Sequence, residues 1–170
     1  MIKDYFHIIK TLLQPNQICE SVEDIPLEAL RYKGYHVMFV DIDNTLVPYD
    51  KRSLSLQKMQ WIEQVKSLGF TVYIVSNNSS HRRIQKIAEQ MGVSGLYFSM
   101  KPFTMGIREF IKEHYIDLEK SLFVGDKLLT DIIAGNWLRT HTILVDPLDK
   151  KLSFFKTMQR DMELFLLSKL

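Results

Sequence analysis

The sequence predicts an α/β fold with a doubly wound, mostly parallel sheet, and two observations lead to this prediction. The first is a series of short, nearly continuous apolar runs rich in Val, Ile, Phe and Tyr, which is typical of strands buried on both faces of a sheet. The second is that segments with helical spacing separate these runs, as they do in successive β-α-β units. We therefore expect parallel strands joined by right-handed crossovers.

Two helices are predicted before the first of these strands. One covers Tyr5–Leu13 and stops at Pro15, and the other covers Pro26–Lys33. Asp24 lies just before the second helix and Gly34 follows its end, which is the usual order of start and stop signals.

The strands and helices that follow alternate along the chain. Strands are predicted at His36–Val40, Phe70–Val75, Leu96–Phe98 (the weakest), Leu122–Val124 and Thr142–Val145. Helices are predicted from apolar stripes at Leu56, Met59, Ile62, Val65 and Leu68, then at Ile84, Ile87, Ala88 and Met91 with an end at Gly92, and across Phe103–His114 and Asp131–Trp137. A last amphipathic segment, Leu152–Leu170, predicts a helix that packs on this chain or on a second subunit, with contact to a membrane surface as the alternative.

Length and composition indicate one globular domain over residues 1–170, with a motif-bearing core at about 36–146 and helical N- and C-terminal extensions. A net charge of +2 gives no indication of a nucleic-acid partner. Cys19 is the only cysteine, which excludes an intrachain disulfide and a thiolate zinc cluster and favours a reducing compartment. Because the Met1–Leu13 segment is too short and polar to cross a bilayer, we expect a cytoplasmic protein without a transmembrane segment.

Polar residues stand directly after four of the predicted strands. They are Asp41 and Asp43, Ser76 and Asn77, Lys101, and Asp126 and Asp131. In a parallel sheet the carboxyl ends of the strands meet at one edge, where ligands bind near the point at which strand order reverses. We therefore expect these side chains to form one cleft.

The chemistry of this set favours a metal ion and a phosphoryl group. Each close pair of carboxylates repels by about 1 kcal/mol in water and by about 4 kcal/mol at an effective dielectric of 20. Protonation of one carboxylate could relieve the repulsion, but an oxygen-rich cluster without cysteine suits a hard cation such as Mg²⁺. Lys101, the Ser76 hydroxyl and the Asn77 amide would then donate to phosphate oxygens.

The pair Asp41 and Asp43 suits a two-step hydrolysis. Alternation along an extended segment places both carboxylates on the same face, roughly 6 to 7 Å apart. One carboxylate can attack phosphorus while the other transfers the proton of the leaving group and then that of water.

The segment Val37–Val145 resembles the haloacid dehalogenase (HAD) superfamily of aspartate-nucleophile phosphatases, whose four motifs it contains in order. The resemblance implies a HAD-like Rossmannoid fold with Asp41 as nucleophile. Asp43 would be the general acid and base, and its main-chain carbonyl would bind the metal. The acid at the third position of Asp-Ile-Asp is the phosphatase form of this motif.

The other motifs receive their roles from the same resemblance. Ser76 would bind the phosphoryl oxygens and Lys101 would stabilise the charge of the transition state. Asp126 would bind Mg²⁺ together with Asp41, and Asp131 would support that site from behind.

Three segments resemble the YqeG-type branch of the superfamily more closely: Asp-Ile-Asp-Asn-Thr-Leu-Val, Ser-Asn-Asn and Val-Gly-Asp-Lys-Leu-Leu-Thr-Asp, together with the lead-in from Pro15 to Ile25. This branch is similar to mitochondrial phosphatidylglycerophosphatases, which implies a lipid-headgroup phosphate as the first candidate substrate. Only 30 residues separate Thr45 from Ser76 and 24 separate Ser76 from Lys101, which leaves no room for an inserted cap domain. An open site suits a large or surface-bound substrate, or a second subunit that serves as the lid.

Structural roles compete with the functional ones for several residues. Asp131 could cap the following helix, Lys101 could be solvated, and Asn77 could form the turn that precedes His81. Arg82 or Arg83 could contact an anionic substrate, whereas the five histidines lack the spacing of a helical zinc pair and none is nominated.

The sequence thus predicts a Mg²⁺-dependent phosphomonoester hydrolase that acts through an aspartyl-phosphate. A phosphorylated lipid headgroup, that of phosphatidylglycerophosphate, is the first candidate substrate, and a macromolecule such as a phosphoprotein, a nucleotide or a sugar phosphate is the alternative. Peripheral membrane contact and a homo-oligomer are compatible with this prediction. The alternative is a non-catalytic regulator that uses the same pocket to bind Mg²⁺ and phosphate.

Overall fold

The computed structural model describes the backbone of residues 2–149 and the side chains of residues 8–149. The strands are β1 (Gln17–Cys19), β2 (Val37–Val40), β3 (Thr71–Val75), β4 (Ser94–Leu96), β5 (Ser121–Gly125) and β6 (His141–Val145). The helices are α1 (Ile2–Leu13), α2 (Leu27–Tyr32), α3 (Leu56–Ser67), α4 (His81–Met91), α5 (Met105–Glu113) and α6 (Ile133–Leu138), with a π-helix at Leu128–Ile132. The predicted C-terminal helix, Leu152–Leu170, lies outside the described residues.

All six strands are parallel and lie in the order β1-β6-β5-β2-β3-β4. The chain runs outward from β2 through β3 to β4 and then returns to β5, on the other side of β2. Strand order therefore reverses between β2 and β5, where Val40 pairs with Val124. Ligands of doubly wound sheets bind at the carboxyl ends of such a strand pair. The predicted fold class is confirmed.

Helices cover both faces of the sheet, and the alternation of side chains along β2 shows how. Met38 and Val40 are buried in a cluster with residues of α2, α3 and α4. Val37 and Phe39 point to the opposite face and are buried with residues of α5 and α6. With both faces covered, the strand has no polar side chain until it ends.

The predicted apolar stripe of α3 is wrong at two positions. Leu56 is 72% exposed and Met59 is 42% exposed, whereas Lys58 and Trp61 are buried with Ile62 and Val65. A spacing of three residues turns each successive side chain by about 300°, so the five predicted positions spread around the helix instead of lining one face. The stripe of α4 follows the correct period, and α4 ends at Gly92 in the left-handed conformation, as expected.

Three boundaries differ from the prediction for local reasons. Strand β1 was not predicted, because three residues with an exposed Ile18 show no periodic pattern. Strand β4 lies earlier than predicted, since Phe98 has φ 51° and is exposed. Gly95 lets β4 approach β3 closely, because a Cβ there would lie 2.5 Å from Ile74 Cβ. The helix predicted from Asp131 is the end of the π-helix followed by α6.

Residues 41–101, all of which the structure describes, consist of α3, β3, α4, β4 and connecting loops. This agrees with the predicted lack of an inserted cap. Within the part of the chain that the structure covers, no helix combines the length and the apolar character needed to cross a membrane.

Candidate active site

Asp41 is the first residue after β2 and lies at the reversal of strand order. Its backbone N–H donates to Val124 O at 2.9 Å, which continues the pairing of β2 with β5 by one residue and fixes the side chain at the sheet edge. The carboxylate is buried. Oδ1 accepts a hydrogen bond from Lys101 Nζ at 2.7 Å, whereas Oδ2 is buried without a hydrogen-bond partner.

Lys101 reaches Asp41 from the loop after β4. Its ammonium group is almost fully buried and also lies 2.7 Å from Asp131 Oδ1 and 2.6 Å from Val75 O. Asn77 holds the lysine backbone on both sides, since its Nδ2 donates to Lys101 O at 2.8 Å and its Oδ1 accepts from Lys101 N at 2.7 Å. Asn77 therefore positions Lys101. Its predicted contact with phosphate stays a prediction.

Burial and neighbouring charge act in opposite directions on this pair. Burial raises the pKa of the Asp41 carboxyl, and this outweighs the opposing effect of Lys101. Burial by itself would lower the pKa of Lys101, but Asp131 and Asp41 raise it above its usual value. The lysine is therefore a fixed positive charge between two carboxylates.

Asp126 and Asp131 complete the acidic cluster from the loop after β5. Asp126 Oδ1 accepts from Thr45 Oγ1 at 3.0 Å and from Lys127 Nζ at 2.9 Å. Asp131 is fully buried, and its Oδ2 accepts from the backbone N–H of Lys127, the residue before the π-helix, at 3.0 Å. Asp131 thus contacts both Lys127 N and Lys101, but it does not cap the following helix as expected, because no side chain caps the start of α6.

Lys127, which the sequence analysis did not single out, lies at the centre of these oxygens. Its Nζ also contacts the main-chain O of Asp43 at 3.3 Å and Asp41 Oδ2 at 3.7 Å. Burial alone would lower its pKa, but Asp41, Asp131 and Asp126 raise it above its usual range. The pKa of Asp126 is raised to about 6, first by burial and against the effect of Lys127.

Asp43 points away from this cluster, toward α4. Asn78 Nδ2 donates to its Oδ2 at 2.8 Å, and the Arg83 guanidinium donates to its Oδ1. Arg83 also donates to Lys51 O at 3.1 Å and to Pro48 O at 3.2 Å. The expectation that Arg83 contacts an anionic substrate is therefore replaced by an intramolecular role. It orients the second acid of the Asp-x-Asp pair.

Ser76 lies behind the site. It is fully buried, and its Oγ accepts from Asn78 N at 3.1 Å, which shapes the turn before α4. Neither Ser76 nor Asp126 lines the cavity that opens at the carboxyl edge of the sheet.

The cavity has a volume of about 260 Å³ and opens at the carboxyl edge of the sheet. It is lined by Asp41, Asp43, Tyr49, Asn77, Asn78, Lys101, Lys127, Thr130 and Asp131. Tyr49 and Thr130 were not predicted. The Tyr49 ring lies 5.7 Å from Lys127 Nζ, so an aromatic side chain borders the charged centre of the cavity.

The donor set fits a divalent cation. Asp41, Asp126 and Asp131 each offer a carboxylate oxygen, and these atoms lie within 4.8 Å of one another. The buried Asp41 Oδ2 lacks a hydrogen-bond partner, and binding a cation would offset the free-energy cost of burying this oxygen. Oxygen donors of this kind suit Mg²⁺. Asp43 can contribute its main-chain oxygen, because Lys127 Nζ contacts this oxygen as well as carboxylate oxygens of Asp41 and Asp126.

Comparisons with known proteins show to which family the chain belongs. Residues 4–149 match the family described as Mitochondrial PGP phosphatase. The chain is 31% identical to "Probable phosphatase YqeG" of Bacillus subtilis (strain 168), covering 96% of this chain and 94% of that protein. It is 26% identical to the chloroplastic/mitochondrial phosphatidylglycerophosphate phosphatase 1 of Arabidopsis thaliana, covering 91% of this chain and 47% of that protein, so it spans about half of the plant enzyme.

The fold is also similar to that of a solved structure. This is the cobalt-bound form of the deoxy-D-mannose-octulosonate 8-phosphate phosphatase of Haemophilus influenzae, with 13% identity and a TM-score of 0.53 over 84% of this chain and 90% of that one. At this identity the likeness shows the fold alone, whereas the family match covers most of the chain. The chain therefore belongs to the Mitochondrial PGP phosphatase family and is a phosphatase, and its ordered motifs and its fold resemble those of the haloacid dehalogenase superfamily.

Proposed function

We propose that this protein is a Mg²⁺-dependent phosphomonoester hydrolase that works through an aspartyl-phosphate at Asp41. One observation carries the proposal. A buried carboxylate, Asp41, lines the cavity with one oxygen bonded to the buried ammonium of Lys101 and the other without a hydrogen-bond partner. A carboxylate that is held in place and poorly solvated is suited to attack an electrophile.

The reaction would proceed in two steps. A carboxylate oxygen of Asp41 forms a bond to phosphorus while the ester P–O bond breaks, and the departing oxygen takes a proton from Asp43. Water then attacks the same phosphorus, gives a proton to Asp43 and displaces Asp41, which releases inorganic phosphate. Lys101 stabilises the negative charge of the phosphoryl oxygens in both steps.

Asp43 is suited to the proton transfers because its position is fixed from α4. Arg83 and Asn78 hold its two oxygens at the wall of the cavity. We propose that Asp43 exchanges one of these contacts for the leaving-group oxygen when substrate binds. Ser76 and Asn77 are proposed to support the phosphoryl site, Ser76 through the turn at Asn78 and Asn77 through Lys101.

The cation would be held by Asp41, Asp126 and the main-chain oxygen of Asp43, with Asp131 behind them. A bound Mg²⁺ would supply charge neutralisation for the phosphoryl oxygens and for the crowded carboxylates. This proposal is supported by the grouping of carboxylate oxygens and by the donor type, both described above.

Phosphatidylglycerophosphate is the proposed substrate, and its support is the family match and the name of the plant relative. The cytoplasmic location and the homo-oligomer that the sequence suggests stay predictions. The sequence-based alternative, a non-catalytic regulator, differs from this proposal in lacking turnover.

The test is phosphate release by the purified protein, with Mg²⁺ or with EDTA, from an aryl phosphate and from phosphatidylglycerophosphate in detergent micelles. We expect metal-dependent turnover that Asp41→Asn lowers by about 10³-fold or more, because no nucleophile remains. Asp117→Asn is the matched control, since that exposed aspartate lies at the opposite end of the sheet. Turnover that EDTA and Asp41→Asn both leave unchanged would contradict the proposed function.

A further inference from the structure

The segment from the end of β4 to the first residue of α5 exposes five large apolar side chains. They are Tyr97, Phe98, Met100, Phe103 and Met105, with exposed fractions of 46%, 60%, 55%, 61% and 79%. We call residues 97–105 the apolar loop. Its only charged residue is Lys101, which is buried in the cavity, so the loop presents no charge to solvent. Large apolar side chains that are exposed together in one short segment often mark a contact site.

The apolar loop lies at the edge of the cavity. Lys101 lines the cavity, and Ser99 Oγ donates to Asn77 Oδ1 at 2.9 Å. Phe98 N donates to Asn78 O at 3.3 Å, and Asn77 and Asn78 also line the cavity. Any surface that the loop touches therefore lies next to the site at which a phosphoryl group would react.

Core packing does not account for the conformation of this loop. Ser99 and Lys101 are buried. Phe98, which precedes them, and Met100, which lies between them, are exposed and have positive φ angles of 51° and 58°. Bulky side chains rarely adopt positive φ because of steric cost. Because Phe98 and Met100 stay 60% and 55% exposed, burial against the described residues offsets little of this cost.

Cations are more numerous than acids around the apolar loop. Arg108 is exposed and its Nε donates to Thr104 Oγ1 at 3.2 Å, and His81, which stacks edge-on against Tyr97 at 4.3 Å, is followed by the exposed Arg82. Lys51 and Arg52 are exposed in the segment that follows the cavity-lining Tyr49 and that Arg83 contacts through Lys51 O. The exposed acids in these segments are Asp50, which pairs with Lys51, and Glu109.

We propose that the apolar loop docks this protein onto an anionic phospholipid bilayer. The aromatic and methionine side chains enter the headgroup region, while the surrounding cations contact lipid phosphates. This orientation presents the cavity to a phosphate that projects from the membrane, so a lipid monoester can reach Asp41 without leaving the bilayer. The inference rests on the proposed function for its substrate, whereas the docking itself is measurable without turnover.

Vesicle flotation with the full-length protein tests the docking. Vesicles contain phosphatidylcholine alone or with about 30% phosphatidylglycerol at about 0.15 M salt, because exposed charges remain partly unscreened there. We expect binding to the anionic vesicles to be at least about fivefold stronger than to the neutral ones, and Phe98→Ser with Phe103→Ser to reduce it at least about fivefold. The matched control replaces Tyr32 and Tyr115 by Ser, since both aromatics are almost fully exposed but lie at the other end of the strands.

Two further readouts separate the possible outcomes. Phe98→Ser with Phe103→Ser should keep hydrolysis of a water-soluble aryl phosphate within about twofold of the wild type, because neither side chain lines the cavity. If neither the wild type nor any of the variants hydrolyses that ester, the proposed function is refuted, whereas the flotation result remains valid. Unchanged vesicle binding in the double variant would overturn the docking proposal. Light scattering that shows a wild-type dimer and a monomeric variant would overturn it too, by assigning the loop to a contact between copies.

Discussion

Asp43 is hydrogen-bonded to Arg83, a residue 40 positions further along the chain, and this contact joins the Asp-x-Asp segment after β2 to helix α4. The same guanidinium binds Pro48 O and Lys51 O, so one side chain fixes both the acid and the loop that follows it. Such a residue acts on catalysis through the group that it positions.

Arg83→Gln should therefore impair proton transfer by Asp43. We expect kcat to fall by about 10- to 100-fold for an alkyl phosphate and clearly less for an aryl phosphate, because a good leaving group needs little help from a general acid. Steady-state kinetics with both esters measures this difference. Arg82→Gln is the control and should leave both rates near those of the wild type, since Arg82 is exposed. Equal losses on the two esters in Arg83→Gln would contradict the positioning role.

Lys127 supplies positive charge at the oxygens that we propose as metal ligands. Lys127→Met should lower the free energy of unfolding in EDTA by about 1 to 3 kcal/mol, because Asp126 and Asp41 lose a compensating charge. Mg²⁺ should then stabilise the variant more than the wild type, since the ammonium group no longer competes for those oxygens. Thermal unfolding with and without Mg²⁺ measures both effects. Lys120→Met, an exposed control, should behave like the wild type, and an equal Mg²⁺ effect in all three proteins would argue against competition.

Gly125 leaves room for Asp131. A Cβ at Gly125 would lie 2.4 Å from Asp131 Cγ, so Gly125→Ala must displace the carboxylate that holds Lys101. We expect a loss of stability of about 1 to 3 kcal/mol and a fall in kcat. Gly135→Ala is an equally crowded change away from the cavity, with Thr142 Cγ2 at 2.5 Å.

The comparison of these two glycine variants isolates the effect on the site. Gly135→Ala should lose stability but keep the wild-type rate per folded molecule, measured well below its melting temperature. Gly106→Ala should keep the wild-type rate and lose no stability, because the nearest atom to its Cβ would be Leu96 Cδ2 at 3.8 Å and alanine is favoured over glycine in a helix. Equal rates per folded molecule in Gly125→Ala and Gly135→Ala would show that Asp131 does not position Lys101.

His141 should make the protein less stable on acidification. Burial, and then the charge of Lys33, lower the pKa of this histidine below 6.5, and its Nε2 is buried without a hydrogen-bond partner. The unfolded chain therefore binds the proton more readily, so stability falls as the pH drops through about 6.5 toward the lower folded pKa. His141→Gln and His141→Phe should both show a smaller loss of urea resistance between about pH 7.5 and 5.5 than the wild type. A loss of the same size in all three proteins would contradict this assignment.

Much of the fold could be predicted because its strands are buried on both faces. The apolar runs that became β2, β3, β5 and β6 are uninterrupted, and the stripe of α4 follows the helical period. Strand β1 and the inner face of α3 could not be predicted in this way. Ile18 is exposed on an edge strand, and Lys58 is buried in α3 because its ammonium pairs with Glu23 at 2.6 Å, a contact between distant segments.

The residues of the candidate site also fall into those that the sequence pattern predicts and those that depend on contacts between distant segments. Asp41 and Asp126 directly follow strands, and Lys101 and Asp131 lie in the segments after β4 and β5. The topology of a parallel sheet brings all four to one edge, so they could be selected from the sequence. Arg83 could not be assigned to Asp43, because that contact depends on how α4 packs against the sheet. A different signal was available for Lys127, which stands between the two acids of the last motif.

The central claim is that Asp41 carries the phosphoryl group, and trapping of the phosphoenzyme tests it most directly. Asp43→Asn protein is mixed with a radiolabelled aryl phosphate and quenched in acid, because an aryl ester can still phosphorylate Asp41 while attack by water is slowed. We predict label on the protein that hydroxylamine removes, that borohydride reduction locates at Asp41, and that is lost in Asp41→Asn with Asp43→Asn. Turnover by the wild type without label at Asp41 in the trapped variant would contradict the account.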